Sequence, residues 1–184
     1  MLKSSKKVLL AAAWYRAVPS SLIDQVIAKE EQYLGYQEGP GGWTMFGAWY
    51  AANIAHDPSF ETADWCAMFQ TYCCYHVGVS GTAWPYVSPQ GSGVNYMFPW
   101  FSVRGTEINK SLQMPQRGDV VFYSWTSDPN SLDHVGMVVS VSGSTPSTAQ
   151  LHVIEGNKSD TVGYRDISYQ DSQVAHVVRP EYAL

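Results

Sequence analysis

The residues best suited to chemistry are three cysteines, Cys66, Cys73 and Cys74. Their number is odd and two of them are adjacent, so they predict at least one free thiol rather than a disulfide framework. Cys66 stands at the start of a predicted helix, where the positive end of the helix dipole favours the nucleophilic thiolate. A free cysteine can equally be a small buried hydrophobic residue, and we interpret Cys73 and Cys74 in that way. Cys66 is therefore the candidate nucleophile.

A nucleophilic cysteine needs a base within hydrogen-bonding distance, and the base needs a group that orients it. Of the five histidines, His134 begins a predicted strand, whereas the other four favour structural roles. The next predicted strand ends in Glu155-Gly156-Asn157. If the two strands form a hairpin in which Val141 pairs with Gln150, His134 lies opposite Asn157, with Glu155 on the same face. This assumed register predicts a base with two polar partners that fix its tautomer.

The same residue types could bind a metal, but their spacing argues against it. No CxxC spacing or His pair suggests zinc. The segment 56–64, just ahead of the candidate nucleophile, lacks the alternating Asp ligands of a calcium loop. The sequence therefore predicts neither a metal site nor a cofactor.

The elements that must position these residues change type along the chain. Ser21 and Asp24 form a predicted capping box that opens a helix closing at Gly35. Aromatic residues at helical spacing predict a second helix over 43–54. A third is predicted from Cys66 to Gly78, with Asp64 as its candidate cap.

The second half is built differently. Residues 79–116 are rich in Gly, Ser and Pro and predict long loops with one short helix. Short β-branched runs bounded by turn residues then predict four strands, over 119–125, 134–141, 150–155 and 174–179. Helices first and strands after indicate an α+β domain in which an antiparallel sheet packs against the N-terminal helices. We assign that domain to residues 21–184 and an N-terminal extension to residues 1–20.

Composition narrows the class of partner. The 184 residues carry 11 Lys+Arg against 16 Asp+Glu, and this net charge of −5 argues against a duplex nucleic-acid binder. No apolar run approaches the roughly 20 residues of a membrane span. Residues 65–103 contain no Lys, Arg, Asp or Glu, which fits either a groove for a neutral ligand or buried structure.

The first twenty residues contain a secretion-signal-like pattern. Lys3, Lys6 and Lys7 precede the apolar run 8–13, but the run is short and lacks a clean cleavage site. This pattern favours a leader or a short helix over a signal peptide.

Four segments in order carry a resemblance: 65–69 (Trp-Cys-Ala-Met-Phe), 115–123 (Pro-Gln-Arg-Gly-Asp-Val-Val-Phe-Tyr), 133–136 (Asp-His-Val-Gly) and 155–157 (Glu-Gly-Asn). They resemble the motifs of the CHAP family, the cysteine, histidine-dependent amidohydrolases/peptidases, over roughly residues 22–182. The resemblance implies a papain-like fold and cleavage of amide bonds in bacterial peptidoglycan, as an N-acetylmuramoyl-L-alanine amidase or an endopeptidase.

The resemblance also implies roles for particular residues. Cys66 resembles the nucleophile, His134 the general base, and Glu155 and Asn157 the groups that orient the imidazole. Around these motifs, Trp65, Trp125 and Asp133 are candidates for a substrate-binding groove, although each Trp can equally belong to the core.

The partner expected from this resemblance is bacterial peptidoglycan. The protein is expected to be a monomer that acts outside the cell or at the cell wall, either secreted or released as a phage lysis enzyme. Two alternatives stay open: a cysteine amidase of the same fold with a non-wall substrate, and a non-catalytic wall-binding module.

Overall fold

The computed structural model describes residues 21–104 and 106–182, so the predicted N-terminal extension lies outside the described residues. The helices are α1 Leu22–Glu31, α2 Met45–Tyr50, α3 Cys66–Val77 and α4 Val94–Ser102, and the strands are β1 Val120–Tyr123, β2 His134–Ser142, β3 Gln150–Glu155, β4 Gly163–Ser168 and β5 Val174–Val178. Helices precede a single antiparallel sheet, which confirms the α+β prediction. Within the described residues, no helix combines the length and the apolar character that crossing a bilayer demands.

The first helix begins as its capping box predicts. The Ser21 hydroxyl accepts a hydrogen bond from the backbone N–H of Asp24 at 3.1 Å and donates one to the Asp24 carboxylate at 2.8 Å. The helix ends at Glu31, earlier than predicted, and Gly35 instead takes a positive φ of 80° in the turn that follows. α1 thereby presents Val26 and Ile27 to the core, where both are fully buried.

The second predicted helix is divided. Thr44 caps α2 through a hydrogen bond from the Gly47 N–H, and after Tyr50 the chain continues as a single π-helical turn, Ala51–Ala55. A short 3₁₀ turn, Pro58–Thr62, then leads to α3.

The third helix is the centre of the molecule. Its residues 66–74 are all buried, because α1 and α2 pack on one side and strands β2 and β3 on the other. A helix that is apolar all round requires such a buried position. Gly78 ends it with a φ of 88°, as predicted. This packing fixes the N-terminus of α3 against the sheet.

The sheet has the strand order β4-β3-β2-β1-β5. One face packs on the helices through residues such as Phe122, Val135 and Ile154. The opposite face buries a second cluster that includes Tyr123, Val153 and Val177. Since β2 and β3 are antiparallel neighbours, the start of β2 and the end of β3 lie at the same end of the sheet.

Four of the five strands coincide with predicted ones, and β4 is the strand that the sequence reasoning missed. Its six residues, Gly-Tyr-Arg-Asp-Ile-Ser, are half-buried or exposed and lack apolar alternation, as befits a strand at the sheet edge.

Candidate active site

Cys66 is the first residue of α3, and the loop before it delivers its side chain to an open cleft. The prediction that Asp64 caps this helix is wrong: Trp65 is the N-cap residue, and no side chain caps the helix there. The first N–H groups of a helix lack partners within the helix. An uncapped N-terminus therefore leaves donors beside the Cys66 sulfur for a ligand.

His134 is the first residue of β2 and lies between Cys66 and Glu155. Its Nε2 donates a hydrogen bond to Glu155 Oε2 at 3.1 Å, and both residues are buried. Cys66 lines the same cleft as His134, and its side chain interacts with the ring in a way that favours the protonated imidazole. Since Nε2 is bonded to Glu155, Nδ1 is the nitrogen left for the sulfur.

Charge in this buried group favours the imidazolium. Burial by itself lowers the pKa of His134, but the hydrogen bonds and charges of Cys66 and Glu155 outweigh it and raise that pKa to about 9. Burial likewise opposes ionisation of Glu155, yet hydrogen bonds from His134 and Arg165 lower its pKa. The arrangement thus holds a carboxylate against a protonated ring.

The assumed hairpin register is wrong at the loop end and right at the site. Val141 pairs with Leu151 instead of Gln150, and a β-bulge between Val138 and Ser140 then shifts the pairing by one residue. Beyond the bulge, Met137 pairs with Ile154, as the assumed register requires. Because of this bulge, Glu155 falls on the same face as His134.

Two glycines of the motifs make room for this contact. A Cβ on Gly136 would lie 2.7 Å from Glu155 Cγ, and a Cβ on Gly156 would lie 2.6 Å from the Cβ of Phe69 in α3. The first glycine admits the Glu155 side chain next to the imidazole, and the second lets β3 approach the nucleophile helix.

Asn157 occupies a different place from the one predicted. β3 ends at Glu155, and Asn157 has a φ of 55°, so it turns out of the strand. Its side-chain amide donates to Asp64 Oδ1 at 3.5 Å and lines the cleft. The expectation that Asn157 and Glu155 approach His134 together is therefore corrected, because they share no strand face. Asn157 bridges instead to the loop that precedes Cys66.

Arg165 in β4 belongs to the site and was missed with its strand. Its Nε donates to Glu155 Oε1 at 2.7 Å, so Glu155 is held from both sides. Its guanidinium also lies 5.3 Å from the ring centroids of Tyr123 and Trp125. The only signal in the sequence is indirect, because a buried carboxylate requires a cationic or hydrogen-bonding partner.

The expectation that Trp65 contacts substrate is corrected by the structure. Its side chain is fully buried, its ring stacks on Phe46 at a centroid distance of 5.4 Å, and its indole N–H donates to Glu38. Burying this large aromatic ring stabilises the core and anchors the chain immediately before Cys66.

Trp125 and Asp133 do line the cleft. Trp125 is 43% exposed and lies 5.6 Å, between ring centroids, from His134. Asp133 accepts a hydrogen bond from the Trp125 backbone N–H at 2.7 Å, and its own N–H donates to the Tyr123 carbonyl. Asp133 thus holds the Trp125 segment beside the imidazole.

Two open clefts meet at Cys66. The His134 cleft, about 550 Å³, is lined by Asp64, Cys66, Trp125, Asp133, His134, Asn157, Lys158, Ser159 and Arg165. The Tyr96 cleft, about 290 Å³, is lined by Asp64, Cys66, Ser92, Gly93, Val94, Asn95, Tyr96, Leu132 and Asp133. A ligand lying across both would pass over the sulfur.

The other two cysteines lie in a different environment. Cys73 and Cys74 are free and fully buried, and burial raises the pKa of each thiol well above its usual range. Both are packing residues of α3, as interpreted from the sequence.

Nowhere in residues 21–104 and 106–182 do three or more His, Cys, Asp or Glu side chains gather as a metal site requires. The metal-free and cofactor-free site stays a prediction.

Comparison with protein families matches residues 39–157 to the CHAP domain. The matched range includes Cys66, His134 and Glu155 and extends to Asn157. A search among curated proteins finds no match.

Proposed function

Because the chain belongs to the CHAP domain family, whose activities are those of amidases and peptidases, we propose that it hydrolyses amide bonds of bacterial peptidoglycan with Cys66 as nucleophile. The observation that carries the proposal is the buried Cys66–His134–Glu155 arrangement at the mouth of two clefts. It combines a nucleophile, a base and an orienting carboxylate. A wall-binding module would need none of the three.

The first half of the reaction forms a thioester. The Cys66 thiolate attacks the carbonyl carbon, and the oxygen becomes an oxyanion next to the uncapped N-terminus of α3. Backbone N–H donors placed at that position stabilise the developing charge. As the C–N bond breaks, Nδ1 of the imidazolium gives its proton to the leaving nitrogen.

The second half regenerates the Cys66 thiolate and the imidazolium. His134, now neutral, takes a proton from water, and the resulting hydroxide attacks the thioester carbonyl carbon. The C–S bond breaks, releasing a carboxylic acid and returning the sulfur and the imidazole to their starting state. Throughout, Glu155 keeps Nε2 as the proton-bearing nitrogen and stabilises the imidazolium, while Arg165 keeps Glu155 ionised.

The proposed substrate also sets the place of action. Peptidoglycan lies outside the cytoplasmic membrane, so we propose that the protein acts extracellularly or at the wall, as a monomer, either secreted or released as a phage lysis enzyme. A cysteine amidase with a non-wall substrate would retain the same site and would differ only in what it cuts.

The test is a matched pair of cysteine variants assayed on a suspension of purified cell walls. Cys66→Ala should abolish the fall in turbidity while unfolding thermally near the wild-type temperature, and Cys73→Ala should keep hydrolysis. Iodoacetamide should alkylate Cys66 faster than Cys73 or Cys74, since those two thiols are fully buried. More than trace hydrolysis by Cys66→Ala would refute the cysteine mechanism. If the wild type left the turbidity of the wall suspension unchanged but hydrolysed other amides, peptidoglycan would be refuted as the substrate.

A further inference from the structure

We propose that His176 in β5 is a pH-sensitive latch on the loop between β1 and β2, residues 124–133. While its imidazole carries two protons, the ring holds this loop against the sheet, and the loss of one proton releases the loop. Trp125 and Asp133 belong to the loop and line the His134 cleft. For its effect on catalysis, this inference rests on the proposed function.

Both ring nitrogens of His176 face oxygen atoms that act as acceptors. Nδ1 lies 2.6 Å from Glu107 Oε1, and Nε2 lies 2.9 Å from the carbonyl oxygen of Pro129. A neutral imidazole has one N–H and can satisfy one of these acceptors, whereas the imidazolium has two N–H groups and satisfies both. The geometry therefore fits the imidazolium.

The surroundings of His176 also favour the charged ring. The Phe98 ring of α4 stacks on the imidazole at a centroid distance of 3.9 Å, and an aromatic face attracts a cation. On β1, the residue paired with His176 is the uncharged Phe122. Glu107 supplies a negative charge directly at Nδ1, and an opposite charge stabilises the protonated form.

Two other charged residues near the latch are engaged with different partners. Lys110 lines a cavity of about 480 Å³ together with His176 and Glu107, and its ammonium donates to the Val174 carbonyl. The carboxylate of Asp128, in the loop itself, accepts from the backbone N–H of Asn130. Glu107 is therefore the charged group that the imidazole contacts.

Loss of one proton turns the contact with Pro129 from a hydrogen bond into a repulsion. Because the Glu107 carboxylate retains the proton on Nδ1, the proton leaves Nε2, whose lone pair then faces the carbonyl oxygen of Pro129. The backbone N–H groups of Ser127 and Ser131 donate to carbonyls within the loop, so they do not tie it to the sheet. The middle of the loop can then move away from β5.

The ends of the loop connect this latch to the cleft. The Trp125 N–H donates to the Asp133 carboxylate, and the Asn95 side chain in α4 bonds to both backbone groups of Leu132. These bonds hold the loop ends when the latch opens. Release therefore loosens the Trp125 wall of the cleft and leaves His134 in place, so it should weaken substrate binding more than turnover.

Hydrogen–deuterium exchange of the full-length protein tests the latch without a substrate. Histidine changes charge between about pH 5 and 8. Across this range, after correction for the intrinsic pH dependence of exchange, the protection of residues 124–131 should fall about tenfold, the lower end for a hydrogen bond from a charged group. An NMR titration of the His176 ring should have the same midpoint as this step.

Three variants separate the latch from a general effect of pH. His176→Gln cannot titrate and should lose the step. His152→Gln is the matched control, because it removes another partly exposed histidine that pairs with a carboxylate, Asp166, and it should keep the step. Glu107→Gln leaves His176 present and should move the step to lower pH, since the negative charge that favours the imidazolium is gone.

An undiminished step in His176→Gln, its loss in His152→Gln, or an unmoved step in Glu107→Gln would overturn the latch. In wall hydrolysis, the ratio of kcat/KM of the wild type to that of His176→Gln should fall across the same pH range, mainly through KM. A constant ratio would overturn the control of the cleft by the loop. Failure of the wild type to cleave any amide of the wall would instead overturn the proposed function and leave the exchange result standing.

Discussion

Replacing Glu155 with Gln tests the electrostatic core of the site, because the change removes a charge and keeps the shape. One Glu155 oxygen accepts from His134 Nε2 at 3.1 Å, and the other accepts from Arg165 Nε at 2.7 Å. A glutamine has a single acceptor oxygen, so its amide NH₂ must face one of these two donors. The substitution therefore weakens the hold on the imidazole in charge and in geometry.

The size of the effect follows from the hydrogen bond that is lost. A hydrogen bond to a charged group contributes about 1.5–3 kcal/mol, and about 1.4 kcal/mol corresponds to one pKa unit. The negative charge of Glu155 favours the protonated ring, so its removal must lower the pKa of His134 from about 9, by about one to two units. The rate should fall about 10- to 100-fold, because the imidazolium that re-forms when His134 takes a proton from water loses the same stabilisation.

The assay is kcat/KM for wall hydrolysis as a function of pH. The alkaline limb reports loss of the imidazolium proton, so Glu155→Gln should move this limb to lower pH. Asn157→Ala is the comparison, since Asn157 donates to Asp64 rather than to the ring, and it should leave the limb in place and reduce the rate less. Wild-type activity and an unmoved profile in Glu155→Gln would refute the reasoning and leave Glu155 a structural residue.

Two further predictions concern metal and pH. EDTA should leave hydrolysis unchanged, because the described residues contain no cluster of metal-binding side chains, and loss of activity with rescue by calcium would contradict this. Since folding raises the pKa of His134 from 6.5 to about 9, its stabilising contribution is complete below pH 6.5 and is lost as the pH rises through 9. In urea unfolding, the free energy of unfolding of the wild type should therefore fall more steeply between pH 6.5 and 9 than that of His134→Gln. Equal slopes would show that the contact between His134 and Glu155 does not stabilise the protonated ring.

Local pattern was enough to predict most of the elements. The Ser21–Asp24 capping box, the glycine that ends α3 and the β-branched runs all reflect short-range preferences that tertiary packing reinforces. Neighbouring strands of a hairpin also follow from order along the chain, so His134 and Glu155 are expected to meet once their strands pair.

Features decided by tertiary packing could not be predicted in the same way. β4 is an edge strand with one partner, so its sequence needs no apolar alternation, and Arg165 was missed with it. Trp65 and Trp125 both flank motifs, yet one stacks on Phe46 in the core and the other is 43% exposed in the cleft. Composition does not distinguish these two outcomes, because a tryptophan suits either a core or a wet surface.

The β-bulge in β2 is the reason that the predicted strand pairing holds near His134 although it fails near the hairpin loop. The predicted register fails where Val141 pairs with Leu151, and the extra residue between Val138 and Ser140 restores it towards the site. A strand without the bulge would turn Glu155 to the other face, away from the imidazole. The geometry of the base therefore depends on a backbone feature several residues away. Deleting the extra residue, Val139, should disturb the position of His134 more than it disturbs the hairpin loop 143–149.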